Sequence, residues 1–384
     1  MLKIILTKLL KKTRLSVHFY STEATFELKP FRLHRLETGP ATQVTLTKPD
    51  ALTIYDQMQT IRKMETAISK LYTAKAIRGF CHLYAGQEAV AVGVQYNVRP
   101  NDIIVTSYRN HAWTLLNSNL DPAPVVCELM GTTGGCSRGK GGSMHMYGKN
   151  FIGGSGIVGA HVPLGAGVAF TFKYKNEDRV AITVYGDGAA NNGQVFEAFN
   201  MAKMWKLPCL FLCENNLFGM GTSVDRHAAN KEFYTRGDYI PGVWTDGMDV
   251  LMVREAVKFA FNHCISGKGP IIIEAQTYRY FGHSMSDPGT SYRTHEEVKE
   301  MRSKRDPITN FKQKILDAKL VTEDELKEIE NKRKKTVDDA VAKCKKDKEV
   351  GLEELTINIY SNDVYKEIRG VSPFSKLQHK VVKI

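Results

Sequence analysis

Apolar positions along this chain change their spacing several times, and each change predicts a different kind of element. Between residues 51 and 78, Ile54, Met58, Ile61, Met64, Ile68 and Leu71 recur near helical spacing, which predicts one long helix ended by Gly79. GQEAVAVGVQYNV (86–98) predicts a second helix, and Asp121-Pro122 opens a third. Residues 131–167 then concentrate glycine, in GGCSRGKGGSMHMY (134–147) and GGSGIVGAHVPLGAG (153–167). Glycine loses the most backbone freedom on folding. This stretch is therefore expected to turn tightly or approach a ligand, not to build the interior of a helix or strand. Met144, His145, Met146 and Phe151 set it apart from a flexible linker.

From residue 179 unbroken apolar runs alternate with helical ones. RVAITVYGDG, LPCLFLCENN and GPIIIEAQTYRY read as strands, with QVFEAFNMAKMW and MDVLMVREAVKFAFNHC as helices between them. Strands without polar alternation are buried on both faces, and intervening helices imply parallel crossovers. The expected fold is α/β, a doubly wound parallel sheet flanked by helices. After about 294 the chain turns charged and helical (THEEVKEMRSKRD, VTEDELKEIENKRKKTVDDAVAKCKKD), which predicts an added outer helical region. No internal repeat is evident.

Composition narrows the class. With 384 residues and 42% hydrophobic content the chain can bury a sizeable core, and no apolar run of about eighteen residues is present to span a bilayer. The formal charge of +12 invites a nucleic-acid reading, but the excess is partly local. Residues 1–22 carry Lys3, Lys8, Lys11, Lys12 and Arg14 before the first acid, Glu23. The basic cluster at 332–348 alternates with acids, and no basic stripe is interleaved with aromatics, so nucleic-acid binding is not expected. MLKIILTKLLKKTRLSVHFYST is basic, hydroxylated and periodic in Leu and Ile, as a mitochondrial transit peptide is. Seven scattered cysteines (Cys81, Cys127, Cys136, Cys209, Cys213, Cys264, Cys344) without a CxxC pair predict unpaired, mostly buried thiols.

The candidate chemistry is positional. Gly186-Asp187-Gly188 closes one predicted parallel strand and Asn215-Asn216 closes the next. Ligands of open α/β sheets bind beyond those carboxyl ends. Asp187 and Asn216 can converge there as oxygen donors, and Mg²⁺ favours a few protein oxygens with phosphate and water completing the octahedron. Gly186 and Gly188 allow close approach, and the helix that follows is expected to offer free N–H groups to an anion. The inference is a Mg²⁺-bridged diphosphate site.

The segments GFCHLYAGQEA (79–89), TSYRNH (106–111), GKGGSMHMY (139–147), NFIGGSGIVGAHVPLGAG (150–167), VYGDGAANNGQVFEAFNMA (184–202), CENNLFGMGTSV (213–224) and TYRYFGHSMSDPGTSYRT (277–294) carry a resemblance. From about 45 to 370 the chain resembles the alpha subunits of the pyruvate dehydrogenase component of the mitochondrial pyruvate dehydrogenase complex, which have a thiamine-diphosphate-binding fold. The resemblance implies oxidative decarboxylation of pyruvate in the mitochondrial matrix, with the acetyl unit passing to a lipoyl group on an acetyltransferase. It implies Mg²⁺ on Asp187, Asn216 and the carbonyl of Phe218. It implies the diphosphate on Tyr108, Arg109, Gly188, Ala189, Arg279 and His283, and the cofactor's rings against Gly156 and Val158. His82, facing the reacting centre, and His283 would be catalytic. A beta subunit would supply the glutamate that activates the cofactor, in an α₂β₂ heterotetramer. Ser284, Ser291 and Ser223 resemble regulatory phosphorylation sites, served by a kinase and a phosphatase.

On this reading residues 1–22 are the transit peptide and 23–50 an N-terminal extension. Residues 51–350 are the cofactor-binding domain, with outer helices from about 294, and 351–384 are a C-terminal tail. Phe218 stands where Tyr is common, Phe281 where His is usual, and His161 replaces a typical Gln. Branched-chain 2-oxo acid or acetoin dehydrogenase alpha subunits share the metal motif, and a non-catalytic regulatory paralogue is the alternative from another class.

Overall fold

Thr47 opens the first long helix, earlier than the apolar spacing alone suggests. Its hydroxyl accepts the N–H of Asp50 at 3.3 Å and Pro49 sits in the first turn, so α1 spans Lys48–Thr73. The stripe from Ile54 to Leu71 is buried as expected. The helix stops at Ala74, ahead of Gly79, because Lys75 takes a left-handed φ of 59° and turns the chain. The computed structural model describes residues 21–382 except 363, 371 and 373. Apart from Ser21 and Thr22, the expected transit peptide lies outside the described residues.

Strands β1 (Glu23–Glu27), β2 (Arg32–His34) and β3 (Gln43–Thr47) precede α1. They are followed by β4 (Ile103–Ser107), β5 (Phe151–Ser155), β6 (Ala181–Gly186), β7 (Cys209–Asn215), β8 (Phe218–Gly219), β9 (Thr222–Ser223), β10 (Gly242–Asp246) and β11 (Ile271–Gln276). Seven of these form the central sheet in the order β2-β10-β11-β7-β6-β4-β5. All its pairings are parallel except that of β2 with β10. The sequence-based expectation of a flanked parallel α/β sheet is thus met. Every residue of β7 is buried. Leu210 and Leu212 pack into the core under α1, while Cys209, Phe211 and Cys213 enter a second core on the opposite face. A strand buried at every position makes sense only when helices cover both faces.

Helices α2 (Glu88–Gln95), α3 (His111–Asn117) and α4 (Ala123–Met130) join α1 over one face, and α5 (His161–Tyr174) and α6 (Gly193–Met204) cover the other. Then come α7 (Val250–His263), α8 (His295–Arg305), α9 (Pro307–Asp317) and α10 (Glu323–Cys344). No helix among the described residues is long and apolar enough to cross a membrane.

Two expectations need correction. The glycine-rich segment does contain regular structure: β5 and the start of α5 lie inside it. The strand is tolerated because it is an edge, hydrogen-bonded only to β4 within the sheet. The helix is tolerated because its glycines permit contact, for a Cβ at Gly165 would stand 1.8 Å from Thr183 Oγ1 in β6. Nor are all the thiols unpaired. Cys127 and Cys344, 217 residues apart, form a disulfide where the end of α10 packs on α4, a pairing no local spacing could reveal. The remaining five cysteines are free.

Gly165→Ala should lower unfolding stability by about 1–3 kcal/mol, because overpacking outweighs the roughly 0.5–1 kcal/mol that alanine brings to a helix. Denaturant titration of Gly165→Ala with and without Thr183→Ala checks this. The argument fails if the second change recovers none of the loss.

Candidate active site

Because β4, β5, β6, β7 and β11 run parallel, their carboxyl ends meet along one edge of the sheet. That edge bounds a cleft of about 1070 Å³. Each strand delivers its following residues to it: Tyr108 and Arg109 after β4, Gly156 and Val158 after β5, Asp187 to Ala189 after β6, Asn216 and Phe218 after β7, and Arg279 and Ser284 after β11. His82, His283 and Ser291 line the same cleft. Ser223 does not; it lies in β9, on a separate groove beside Asn215 and Trp244. Among the departures, His161 lines the cleft, whereas Phe281 faces a neighbouring pocket under the 282–302 segment.

The electrostatics are set by two buried arginines. Arg109 donates from Nη1 to the Leu83 carbonyl at 2.7 Å and from Nη2 to the His283 carbonyl at 2.8 Å. Arg279 donates from Nη1 to the Phe218 carbonyl at 2.9 Å and to Asn216 Oδ1 at 3.3 Å. Its Nη2 reaches the Met220 carbonyl and the Tyr292 hydroxyl, and its Nε has no partner. Neither guanidinium forms an ion pair among the described residues, and both are nearly inaccessible, at 4% and 1% exposure. Burial, then the like charge of Arg279, lowers the pKa of Arg109. A pair of buried cations held only by neutral oxygens leaves a field that an anion would relieve.

That field reaches the histidines. His82 packs its ring 4.7 Å from Tyr108 and 5.2 Å from His283. Burial and then Arg109 push the His82 imidazole down to about 2, and the same causes hold His283 down to about 4. Both rings are therefore neutral near pH 7, and Nδ1 of each lacks a partner. His161, also without a partner on either ring nitrogen, is held down to about 4 by burial. The loop that carries His283 is tied back by Asp287, which accepts from the N–H of His283 at 2.6 Å and from the Tyr292 hydroxyl at 2.6 Å. Arg293 donates to the Arg279 carbonyl at 2.6 Å.

Asp187 is buried, with Oδ2 3.1 Å from Nε2 of His227. Asn216 donates from Nδ2 to Gln87 Oε1 at 3.0 Å, which turns Oδ1 toward Arg279. Asn216 Oδ1 and the Phe218 carbonyl thus share one cationic nitrogen, so these two oxygens converge on a place that holds positive charge. Gly188 is required by packing: a Cβ there would stand 3.0 Å from the Cα of Gly219. The helix expected directly after Gly188 is delayed. A 3₁₀ turn, Ala189–Asn191, intervenes, and α6 starts at Gly193 with Asn192 accepting the N–H of Gln194 at 3.0 Å. Among the described residues no group of three or more His, Cys, Asp or Glu is placed to hold a metal, so any cation here relies on amide and carbonyl oxygens beside one carboxylate.

Sequence reasoning missed Gln87, His227 and Glu214. Glu214, the residue before the Asn pair, accepts from the Tyr84 hydroxyl, and burial pushes its carboxyl up to about 7 against that bond and the charge of Arg109. An acid inside an apolar strand run was a usable signal; Gln87 and His227 left none. The glycine-rich loop has its own anchor in buried Glu128, whose carboxylate accepts from the N–H groups of Ser137 (2.7 Å), Gly139 (2.8 Å), Gly141 (2.6 Å) and Gly142 (3.1 Å). The next residue, Ser143, accepts the N–H of His82 at 3.0 Å.

The dehydrogenase E1 component family model matches residues 56–353, and the chain belongs to that family. Within it, the likeness is to alpha subunits of mitochondrial pyruvate dehydrogenase. The chain is 57% identical over 355 residues to "Pyruvate dehydrogenase E1 component subunit alpha type II, mitochondrial" of Ascaris suum, covering 92% of this chain and 90% of that one. It is 56% identical over 357 residues to the probable counterpart of Caenorhabditis elegans (93% and 89% covered). To the human somatic form it is 54% identical over 359 residues (94% and 92%).

Glu214 binds its proton more tightly folded than unfolded, so its contribution is full below about 4.5 and is lost as pH rises through about 7. Glu214→Gln cannot titrate. Melting temperatures at pH 5 and pH 7.5 should therefore show the variant gaining on the parent as pH rises, and an unchanged difference would refute the assignment.

Proposed function

We propose that this chain is the alpha subunit of a pyruvate dehydrogenase and takes part in the oxidative decarboxylation of pyruvate, with transfer of the acetyl unit to a lipoyl group. Its likeness to pyruvate dehydrogenase alpha subunits over more than nine-tenths of its length supports the activity. The observation that carries the site is the pair of buried, carboxylate-free guanidiniums of Arg109 and Arg279 at the carboxyl edge of a parallel sheet. Such a site suits a diphosphate. The partnerless Arg279 Nε and His283 Nδ1 fit the same demand.

Arg109, Arg279, Tyr108, Gly188, Ala189 and His283 would hold the diphosphate of thiamine diphosphate. Gly156 and Val158 would meet its rings. Asp187, Asn216 and the Phe218 carbonyl would hold Mg²⁺, a set of few oxygens that leaves room for phosphate and water. A carbonyl donor survives the exchange of Tyr for Phe at 218. When bound, thiamine diphosphate supplies the electron sink that lets a 2-oxo acid lose CO₂. Held neutral, His82 and His283 hydrogen-bond substrate without adding charge beside Arg109. Phe80, which lines the cleft and is exposed in the isolated chain, would help keep water from the reacting carbon once a partner subunit covers it.

The relatives' role as a component subunit supports a partner beta subunit, in an α₂β₂ assembly that works in the mitochondrial matrix beside a lipoyl-bearing acetyltransferase. Exposed Phe170, Tyr174, Phe196, Met204 and Trp205 on α5, α6 and the turn after α6 offer an apolar surface for such association. Ser284 lines the cleft, with Oγ 2.8 Å from Ser286 Oγ. A phosphate there would place up to about two negative charges at the mouth of the cleft and disorder the loop. Ser291 sits on the same loop and Ser223 on the next groove, so a kinase and phosphatase would act most directly through Ser284.

Co-expressed with a beta subunit, the chain should decarboxylate pyruvate in a Mg²⁺-dependent way and faster than 2-oxoisovalerate. Asp187→Ala should lose more than the roughly 10–100-fold that removal of an outer partner costs. Equal turnover of the two acids would redirect the substrate to the branched-chain class. Ser284→Glu should lower decarboxylation while leaving the melting temperature of the complex in place; parent-like activity would remove the phosphorylation reading.

A further inference from the structure

Among the described residues, the Asp187 carboxylate meets one hydrogen-bonding side chain, His227, and the state of that histidine is set from behind. Arg236 donates from Nη1 to Asn191 Oδ1 at 2.7 Å and to the Ala190 carbonyl at 3.0 Å. Its Nε and Nη2 reach the Asn230 carbonyl at 3.0 and 2.7 Å. A guanidinium only donates, so the oxygen of Asn191 must face it. The amide nitrogen of Asn191 then faces His227 Nδ1 at 2.8 Å, and that ring nitrogen must accept. The ring proton is left on Nε2, which points at Asp187 Oδ2 from 3.1 Å. The seat is close-fitting: a Cβ at Gly219 would come within 3.2 Å of the Gly188 Cα and 3.5 Å of the His227 ring.

We propose that His227, aligned by Asn191 and Arg236, is a positioning residue that ties one oxygen of Asp187 and leaves the other turned to the bound cation. The proposal rests on the reading of Asp187 as a metal ligand. The carboxyl torsion of aspartate is a broad, two-fold rotor, so a buried ligand without a partner would sample orientations that miss the metal. Gln87 does the equivalent for Asn216. His227 itself stays off the metal, because the nitrogen nearest the site carries the proton.

The test uses the full chain with its beta subunit, thiamine diphosphate and Mn²⁺ as the probe, with free Mn²⁺ read by electron paramagnetic resonance. The parent reading is tested separately, because Asp187→Ala should abolish tight Mn²⁺ binding. If it does not, Asp187 is no ligand and both ideas fall. Given that loss, His227→Ala should raise the Mn²⁺ dissociation constant roughly 10–100-fold, the usual effect of removing an outer partner. His227→Gln, which restores an N–H donor, should recover most of the affinity. Asn191→Leu, which frees the ring proton, should weaken binding at an unchanged melting temperature, and it carries the test should His227→Ala fail to fold. Mn²⁺ affinity within twofold of the parent in His227→Ala, or in Asn191→Leu where that stands in, overturns the proposal.

Discussion

Two positive charges buried without a direct ion-pair partner among the described residues govern this molecule. Arg109 and Arg279 come from strands on opposite sides of β6 and β7, and each is pinned by backbone carbonyls that belong to loops of the cleft. A carboxylate partner would have neutralised them at less cost in desolvation. The arrangement instead gives the site a standing attraction for anions, and it makes the loops depend on the arginines as much as the reverse. The Phe218 hairpin, the His283 backbone and the Tyr292 hydroxyl all converge on these two side chains. The depressed imidazoles of His82 and His283 follow from the same burial and the same charges.

Parallel strands make such convergence possible. Residues separated by more than a hundred positions arrive together because every crossover returns the chain to the same starting edge. The two faces of β6 and β7 are filled by different cores, so neither strand can rotate or slip to re-aim Asp187 or Asn216 without burying a polar group or exposing an apolar one. Rigidity at the sheet is what holds the small glycine turns in place at the cleft.

Much of this was legible in the linear text. Asp187 and Asn216 could be found because each ends an unbroken apolar run, and that pattern tells where the strand stops and on which edge its loop emerges. Strands β4 and β10 escaped notice because five-residue runs such as IIVTS and GVWTD carry little periodic signal. The strand and the helix start in the glycine-rich segment were discounted on a general entropic argument, which the edge position of the strand and the close packing of Gly165 on Thr183 overrode. Gln87, His227 and the Cys127–Cys344 pair were invisible for a different reason. Their roles depend on partners 129, 40 and 217 residues away, and nothing in the local composition hints at which partner that is.

Glu128 gives the glycine-rich loop a meaning opposite to its appearance. Runs of backbone amides in tight turns commonly serve as cradles for external anions. Here four of them are already saturated by a carboxylate from α4, so the loop carries its own internal substitute for a phosphate. The segment that holds Ser143 against His82 is consequently shaped during folding, and ligand entry need not supply the order that this wall of the cleft requires.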